Sequence, residues 1–364
     1  MNENVSATAG SATNLTEHPA AVAWKELNEG SAPPRDIQVL RRRTVYRLIG
    51  AGPERSNVIA KRCLQDGHMV EQQVYADILP HLTVSSPSYY GHVKELKGGG
   101  YWLFIEDAGD EAYSPRSTEH QALVSKWLAE LHTSASRLHP PLALPDCSAG
   151  RFHAHLRWVR GTIQQQRSTW AHLGEVASIF EIMVSQCDEL QSRWHEVQSA
   201  CELIPLTLVH CDLAPKNMCV RSGGSGKVLL PFDWEMAGWG NPATDIAQLV
   251  ATPEALSSDL FVDPEGHGHN CGIEAYWTIV QEHWRQLNLQ MLKRLALVGQ
   301  IFRMLLSVRW ALEGAQALMD KQIAKLNDDF AKSERFAIDQ RCANDLLGRL
   351  PLYQSRLACL LSVM

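Results

Sequence analysis

One motif constrains the fold of this chain more than any other. It runs Val209-His210-Cys211-Asp212-Leu213-Ala214-Pro215-Lys216-Asn217 and is followed, sixteen residues after Asn217, by Asp233-Trp234-Glu235. Asp212 is a carboxylate that can accept the proton of a reacting hydroxyl, and the side-chain oxygens of Asn217 and Asp233 are the hard ligands that Mg²⁺ prefers. Phosphoryl transfer depends on alignment of the acceptor and neutralisation of the β- and γ-phosphates. The motif therefore predicts a phosphotransferase that uses a nucleoside triphosphate.

The segment between Asn217 and Asp233 has the pattern of a β-hairpin. Two short apolar runs, Met218 to Arg221 and Lys227 to Phe232, flank Ser222-Gly223-Gly224-Ser225-Gly226. A cluster of glycine and serine between apolar runs is typical of a flexible turn. The hairpin predicts that Asn217 and Asp233 lie at the same end of two paired strands.

With this hairpin, the order His210, Asp212, Asn217, Asp233 resembles the aminoglycoside phosphotransferase and choline kinase family. The resemblance implies an α+β, protein kinase-like two-lobed fold, with a small antiparallel-sheet N-lobe and a larger, mainly helical C-lobe. It implies Asp212 as the catalytic base, Asn217 and Asp233 as Mg²⁺ ligands, and His210 as the anchor of the loop. Cys211 departs from the pattern, because protein kinases carry Arg there and the antibiotic kinases usually carry Gly.

The resemblance also requires a phosphate-binding lysine and a carboxylate partner that orients it. Arg41 to Ile49 and Asn57 to Cys63 alternate like two strands, and Val58-Ile59-Ala60-Lys61 resembles the lysine strand of the kinase fold. Glu71 follows within an amphipathic helical pattern. Lys61, aligned by Glu71, would bind the α- and β-phosphates of ATP or GTP. The alternative is that both residues are ordinary surface charges.

Three further residues are candidates for the site. Asp245 matches the aspartate that holds the catalytic loop through its backbone in the family, although a simple helix N-cap is the alternative. Lys216 can reach the γ-phosphate or the acceptor oxygen, or it can be a solvated loop charge. Glu235 is a candidate second metal carboxylate or a neighbour of the metal ligands.

The pattern along the chain predicts three regions. Residues 1–35 are expected to be disordered with a short helix at Pro19 to Leu27, 36–107 to form the N-lobe, and 108–364 to form the C-lobe with the acceptor site. The amphipathic pattern of the later region predicts helices over Glu119 to Ser136, Phe152 to Gln166, Val176 to Glu202, Glu274 to Leu287, Leu289 to Asp328 with a break near Gly314, and Asp339 to Ser362. His132, in the first of these helices, is expected to be a structural residue.

Composition limits the partners. The net charge of −6 argues against a nucleic-acid binder, and no apolar run approaches the ~18 residues of a membrane span. Nine cysteines at scattered positions indicate thiols in a reducing cytoplasm rather than a disulfide framework. The chain is therefore expected to be a cytoplasmic protein whose partners are small molecules.

The acceptor is expected to be an alcohol, but the catalytic motif is compatible with antibiotics, choline, amino acids and sugars. Acidic residues between Pro253 and Glu274 favour an amine-bearing alcohol, and surface solubility explains them equally well. A protein kinase is disfavoured because Trp234-Glu235 replaces the Phe-Gly of that family. A catalytically silent pseudokinase is disfavoured because every expected ligand position carries a competent residue.

Overall fold

The computed structural model describes residues 15–41, 44–63, 68–95, 100–139, 144–166, 174–223, 226–249, 271–326 and 348–364. These residues form two compact units. The first comprises the chain up to Tyr113 together with Pro215–Met236, and the second comprises Ser114–Ala214 and the chain from Ala237 onwards. The sequence analysis divided the chain into consecutive stretches, 36–107 and 108–364. In the structure, the hairpin that follows the catalytic motif belongs to the first unit instead.

A five-stranded antiparallel sheet in the order β1-β2-β3-β5-β4 dominates the first unit. The unit also contains the predicted hairpin of β8 and β9, in which Met218 pairs with Pro231. The second unit contains the small sheet β6-β10-β7. The strands are β1 (Asp36–Arg41), β2 (Val45–Ile49), β3 (Val58–Cys63), β4 (Tyr89–Lys94), β5 (Tyr101–Glu106), β6 (Asp146–Cys147), β7 (Thr207–Val209), β8 (Met218–Gly223), β9 (Gly226–Pro231) and β10 (Gly238–Gly240).

The second unit is mostly helical, and the first unit contains two α-helices, α1 and α2. They are α1 (Pro19–Leu27), α2 (His68–Gln73), α3 (Thr118–Ala135), α4 (Ala149–Gln166), α5 (Gly174–Ser192), α6 (Trp194–Cys201), α7 (Ala243–Ile246), α8 (Cys271–Val280), α9 (Leu289–Leu326) and α10 (Leu350–Val363). The predicted α+β class, with an antiparallel sheet followed by a mainly helical region, is confirmed.

Strand β1 was not predicted as a separate strand, because the sequence analysis placed one strand over Arg41 to Ile49. The β1 strand lies at the edge of the sheet, and its Val39 and Leu40 side chains are 59% and 49% exposed. An edge strand with adjacent exposed apolar residues lacks the alternation by which a half-buried strand is recognised.

Three helix predictions in the second unit were wrong. The helix expected over Glu274 to Leu287 ends at Val280. The helix expected over Val176 to Glu202 is interrupted at Arg193, which separates α5 from α6. The break expected near Gly314 is absent, since α9 continues from Leu289 to Leu326. Leu312 and Ala315, on either side of Gly314, are fully buried, so packing overrides the low helix propensity of glycine.

Helix α9 also contains the stretch that comes closest to a membrane span. Among the described residues, Leu289–Ala317 is long and apolar enough to cross a bilayer, with a mean hydropathy of 1.4 in its most apolar window. However, 67% of that window is buried inside the protein. The apolar character of α9 is accounted for by its place in the core of the second unit.

Helix α1 forms at the predicted residues, but it is part of the core of the first unit rather than a segment outside the N-lobe. Trp24 is 3% exposed, packs against Phe104 with ring centroids 5.2 Å apart, and donates its indole N–H to the carbonyl of Ala51 at 3.0 Å. The helix thereby covers one face of the sheet around Leu48 and Val58.

Replacing Trp24 with alanine is expected to lower the free energy of unfolding by about 3–5 kcal/mol, because the change leaves a cavity between α1 and the sheet. Val22→Ala on the same helix is the control, since Val22 is 50% exposed and its truncation should cost less than about 0.5 kcal/mol. Urea unfolding followed by circular dichroism gives both values. Equal effects of the two changes would contradict the proposed role of α1 in the core.

Candidate active site

The first unit brings four predicted site residues together in what we call the lysine–carboxylate cluster: Lys61, Glu71, Asp233 and Glu235. The Lys61 ammonium lies 2.8 Å from Glu71 Oε2 and 3.3 Å from Glu235 Oε2, and it also donates to Asp233 Oδ1. Lys61 is held in the middle of the sheet, where β3 pairs with β2 and β5. The cluster therefore depends on the sheet, on α2 and on the segment after β9.

Burial distinguishes the members of this cluster. The Glu71 side chain is only 2% exposed, that of Lys61 15%, and that of Glu235 41%. The second oxygen of Glu71 accepts the backbone N–H of Trp234 at 3.3 Å, which ties α2 to the residue after Asp233. The alternative that Lys61 and Glu71 are ordinary surface charges is therefore wrong.

The electrostatics of the cluster favour a charged lysine. Burial opposes the charge of Lys61, but attraction to Glu71 and Asp233 outweighs it and raises the pKa of Lys61 above its usual value. Burial raises the pKa of Glu71, and the nearby Lys61 acts in the opposite direction. One ammonium faces three carboxylates, so the cluster carries an excess of negative charge that a divalent cation can compensate.

The hairpin places Asn217 beside the segment that leads to Asp233, as predicted. The carbonyl of Asn217 accepts the N–H of Phe232 at 3.0 Å, and the Asn217 residue is 3% exposed. Asp233 has a φ of 71°, a left-handed conformation that is uncommon for residues other than glycine. Lys216 is exposed in the short helical turn Pro215–Asn217.

The residues of this region fit a magnesium ion. Within the described ranges, no group of three or more His, Cys, Asp or Glu side chains is arranged as a metal site. Mg²⁺ does not need such a group, because it is commonly bound by one or two protein oxygens together with nucleotide phosphates and waters. Asn217 and Asp233 supply that kind of oxygen next to an excess of negative charge.

The second unit carries the loop His210-Cys211-Asp212, which follows β7. His210 is completely buried, Cys211 is 8% exposed, and Asp212 is partly exposed. The N–H of Ala214 donates to the carbonyl of Asp212 at 2.8 Å, so the chain turns sharply after Asp212. The loop begins where β7 is paired with β10 and is therefore supported by the small sheet.

Asp245 holds this loop through its backbone, as the resemblance implied. Its Oδ2 accepts the N–H of His210 at 2.7 Å, and its Oδ1 accepts the N–H of Cys211 at 2.9 Å. The N-cap of α7 is Pro242, so Asp245 lies within the helix and the N-cap alternative is wrong. Two charge-assisted hydrogen bonds from one carboxylate fix the orientation of the peptide groups before Asp212.

A buried histidine completes this arrangement. His132 of α3 contacts Asp245 Oδ2 through Nε2 at 3.3 Å and the hydroxyl of Tyr276 through Nδ1 at 2.9 Å. Both Asp245 and His132 are completely buried, which confirms His132 as a structural residue. Burial opposes the charge of Asp245, but the hydrogen bond and charge of His132, together with the His210 backbone, lower the pKa of Asp245.

Cys211 stands at the position where the chain departs from the family pattern. Its φ is 62°, in the left-handed region where glycine is favoured, which accounts for the glycine usual at this position in the antibiotic kinases. The Cys211 thiol packs 3.7 Å from the sulfur of Cys147 and 3.8 Å from the hydroxyl of Thr244. Packing of the side chain therefore supports a backbone conformation that glycine adopts without strain.

Sequence reasoning missed residues that contact this loop, among them Cys147 and Arg303. Cys147 comes from β6, far from the motif in sequence, and had no recognisable signal. Arg303 of α9 donates from Nη1 to the carbonyl of Cys211 at 3.5 Å. Its position within the otherwise apolar run Ile301-Phe302-Arg303-Met304-Leu305 is the signal that could have identified it.

The fold is that of the kinase-like phosphotransferases, and a family model identifies the class. Residues 42–283 match the model of the phosphotransferase enzyme family, abbreviated APH. The chain belongs to this family, and the predicted resemblance and kinase class are confirmed. No curated protein sequence matches the chain.

Similar solved structures agree with this fold. A GDP and kanamycin complex of APH(2")-IIia is 14% identical, covers 89% of this chain and 94% of its own, and has a TM-score of 0.53. A microcompartment-associated aminopropanol kinase is also 14% identical, with 89% of this chain and 90% of that chain covered and a TM-score of 0.53. Choline kinase from Cryptosporidium parvum Iowa II is 13% identical, with 89% and 90% coverage and a TM-score of 0.51.

Asp245→Asn is expected to lower the free energy of unfolding by about 2–4 kcal/mol, because an amide oxygen replaces the charged acceptor of two buried backbone N–H groups. Since the folded-state pKa of Asp245 is lowered, its carboxylate stabilises the fold above the usual pKa, and this contribution is lost as the pH falls through the folded value. The difference between the variant and the wild type should therefore shrink below about pH 4.

Urea unfolding between pH 7 and pH 3 measures this difference. Asp188→Asn is the control, because the Asp188 side chain is 51% exposed and pairs only with a surface arginine among the contacts described. A difference between the Asp245 variant and the wild type that is small at pH 7, or that grows on acidification, would contradict the assignment.

Proposed function

We propose that this protein transfers the γ-phosphoryl group of ATP or GTP to a hydroxyl of a small molecule. The observation that carries the proposal is the pair of Lys61 with the buried Glu71, with its nitrogen–oxygen distance of 2.8 Å and Asp233 on the same ammonium. Such a pair is the arrangement that kinase-like enzymes use to bind and orient nucleotide phosphates. Family membership supports the reaction class.

Each residue of the site has a proposed role in this reaction. Lys61, oriented by Glu71, would bind the α- and β-phosphates of the nucleotide. Asp212 would orient the acceptor hydroxyl and take its proton as the oxygen attacks the γ-phosphorus, with the nucleoside diphosphate as the leaving group. Lys216 would neutralise charge on the γ-phosphate or the acceptor oxygen.

Magnesium belongs to the proposal because of the donor oxygens that the chain presents. Asn217 and Asp233 would hold the ion, which would neutralise charge on the β- and γ-phosphates when bound. Glu235 is the further carboxylate of the cluster, and its 41% exposed side chain leaves it accessible to a second ion. His210 and Asp245 would contribute by holding the loop that carries Asp212.

The acceptor is proposed to be an alcohol that also carries an amine. Similar structures include a kanamycin complex and proteins named as choline kinase and aminopropanol kinase. The acidic segment expected to border the acceptor lies mostly outside the described residues, and Glu274 of α8 is its described member. A cytoplasmic location is part of the same proposal. It is supported by the cysteines, since none of the seven whose side chains the structure describes forms a disulfide.

Asp212→Asn is expected to abolish phosphoryl transfer while nucleotide binding persists, because the amide cannot take the proton of the acceptor hydroxyl. The measurement is mass spectrometry of aminoglycosides, macrolides, choline-like alcohols, amino-acid alcohols and sugars incubated with the protein and Mg·ATP or Mg·GTP. Asp188→Asn is the matched surface control. A product made by the wild type and the control, and not by Asp212→Asn, supports the proposal.

Other outcomes would overturn it. Product formation by Asp212→Asn at the wild-type rate would remove Asp212 from the chemistry. Phosphorylation of a generic protein substrate in place of the small molecules would favour a protein kinase. Binding of Mg·nucleotide without turnover on any member of the panel would favour a nucleotide-binding pseudokinase.

Asp233→Asn is expected to increase the Mg²⁺ concentration needed for half-maximal activity by at least about tenfold, since the change removes the charged oxygen ligand of the ion. EDTA should abolish turnover by the wild type, and added Mg²⁺ should restore it. The measurement is a Mg²⁺ titration at fixed nucleotide concentration, with Glu111→Gln of the same unit as control. An unchanged Mg²⁺ requirement would exclude Asp233 as the ligand.

A further inference from the structure

We infer that Arg303 of α9 is a positioning residue that holds the Asp212 loop in the conformation used for transfer. The inference rests on the proposed function in one respect, because it takes Asp212 as the base. It goes beyond that function by assigning a role to a residue 91 positions further along the chain, in a helix that contributes nothing else to the predicted motif.

The first argument is the set of contacts that Arg303 makes. Its Nη1 donates to the carbonyl of Cys211 at 3.5 Å. With the Gln248 amide turned so that its oxygen faces the guanidinium, Gln248 Oε1 accepts from Nη2 at 2.7 Å and from Nε at 2.9 Å, and it also accepts from Nη1. Gln248 lies in the short turn Ala247–Leu249 that follows α7, the helix of Asp245. The Arg303 guanidinium thus bridges the turn that carries Gln248 and the carbonyl of Cys211.

The second argument is geometric. The N–H of Cys211 belongs to the peptide plane before its Cα, and the carbonyl of Cys211 belongs to the plane after it. Asp245 accepts the N–H at 2.9 Å, and Arg303 donates to the carbonyl. Together they restrain both backbone torsions of Cys211, and the second plane is the one from which Asp212 begins.

The third argument is strain. A non-glycine residue at a φ of 62° persists only where its surroundings determine the conformation from several sides. Asp245 holds the N–H side of Cys211, Cys147 packs against its thiol, and Arg303 holds the carbonyl side. Without Arg303 we expect the second peptide plane to rotate and carry the Asp212 carboxylate away. Because the Arg303 contact is long, its effectiveness depends on the fixation of the guanidinium by Gln248.

The fourth argument is charge. Burial lowers the pKa of Arg303, and the negative charges of Asp212 and, to a smaller extent, Asp245 oppose this effect. A cation in the interior is costly unless it is paired or bonded to polar groups. The electrostatic attraction between Arg303 and Asp212 therefore favours the conformation in which the loop contacts α9.

The test compares Arg303→Met, Arg303→Lys and Arg294→Met in the full chain. Methionine keeps the length and flexibility of the side chain without its donors, and lysine keeps the charge without the planar fork. Arg294 is the matched control, since it lies on the same helix, is 52% exposed, and contacts Glu196 on the surface at 3.2 Å. Thermal unfolding of each variant checks the fold.

Hydrogen exchange is the first readout, and it needs no acceptor. Peptides that cover residues 208–214 should exchange faster in Arg303→Met than in the wild type, with Arg294→Met unchanged. Peptides from α3 should exchange alike in all four proteins. The same loop exchange in Arg303→Met and wild type would overturn the inference.

Kinetics on the acceptor identified by mass spectrometry are the second readout. Arg303→Met should lower kcat by up to about 100-fold, as expected for a misplaced catalytic group, while the KM for nucleotide stays unchanged. Arg303→Lys should recover part of kcat. An unchanged kcat, or losses of stability and nucleotide affinity in parallel in both Arg303 variants, would show that Arg303 does not position the loop.

The two readouts separate failure of this inference from failure of the proposed function. If the wild type phosphorylates no acceptor, the proposed function fails, and hydrogen exchange still decides whether Arg303 holds the loop. If the wild type transfers phosphate and Asp212→Asn does not, an Arg303→Met variant with normal kcat overturns this inference alone.

Discussion

The hydrogen bonds from the backbone of the His210–Asp212 loop to one buried carboxylate, that of Asp245, are the constraint on which the arrangement of this loop depends. Asp245 accepts two consecutive N–H groups and contacts His132, so it links α7, α3 and the loop after β7. A fully buried charge is tolerated only when its partners are complete, and here they are two backbone donors and an imidazole. Tyr276 of α8, bonded to the same histidine, extends the network into the helical core.

Two residues of the motif occupy left-handed backbone conformations although neither is glycine. Cys211 precedes Asp212, and Asp233 is itself a predicted metal ligand. Conformations of this kind carry a cost that the surrounding structure must offset, and they concentrate at functional sites. The contacts that offset this cost are present in both cases. Asp245 and the sulfur of Cys147 hold Cys211. Lys61 donates to the Asp233 carboxylate, and the backbone N–H of Trp234, the next residue, donates to Glu71.

The features that sequence reasoning predicted are those encoded locally. The hairpin between Asn217 and Asp233, the strand of Lys61 and the helix of Glu71 each follow from a short pattern of residues. Residues whose importance comes from distant contacts were missed. The packing of Trp24 under the sheet and the contact of Arg303 with Cys211 depend on tertiary structure, which a periodicity of apolar side chains does not specify.

This difference also explains why the motif predicts the reaction class and not its acceptor. Binding and orienting phosphates uses a lysine, a carboxylate and metal oxygens whose spacing is set by a few strands, so the same pattern serves many acceptors. In the proposed function, the acceptor would instead be recognised by side chains that helix packing brings near Asp212. The contact of Arg303 with Cys211 shows that α9, a core helix of the second unit, reaches the loop that carries Asp212. The packing of this helix therefore sets the surroundings of the proposed base.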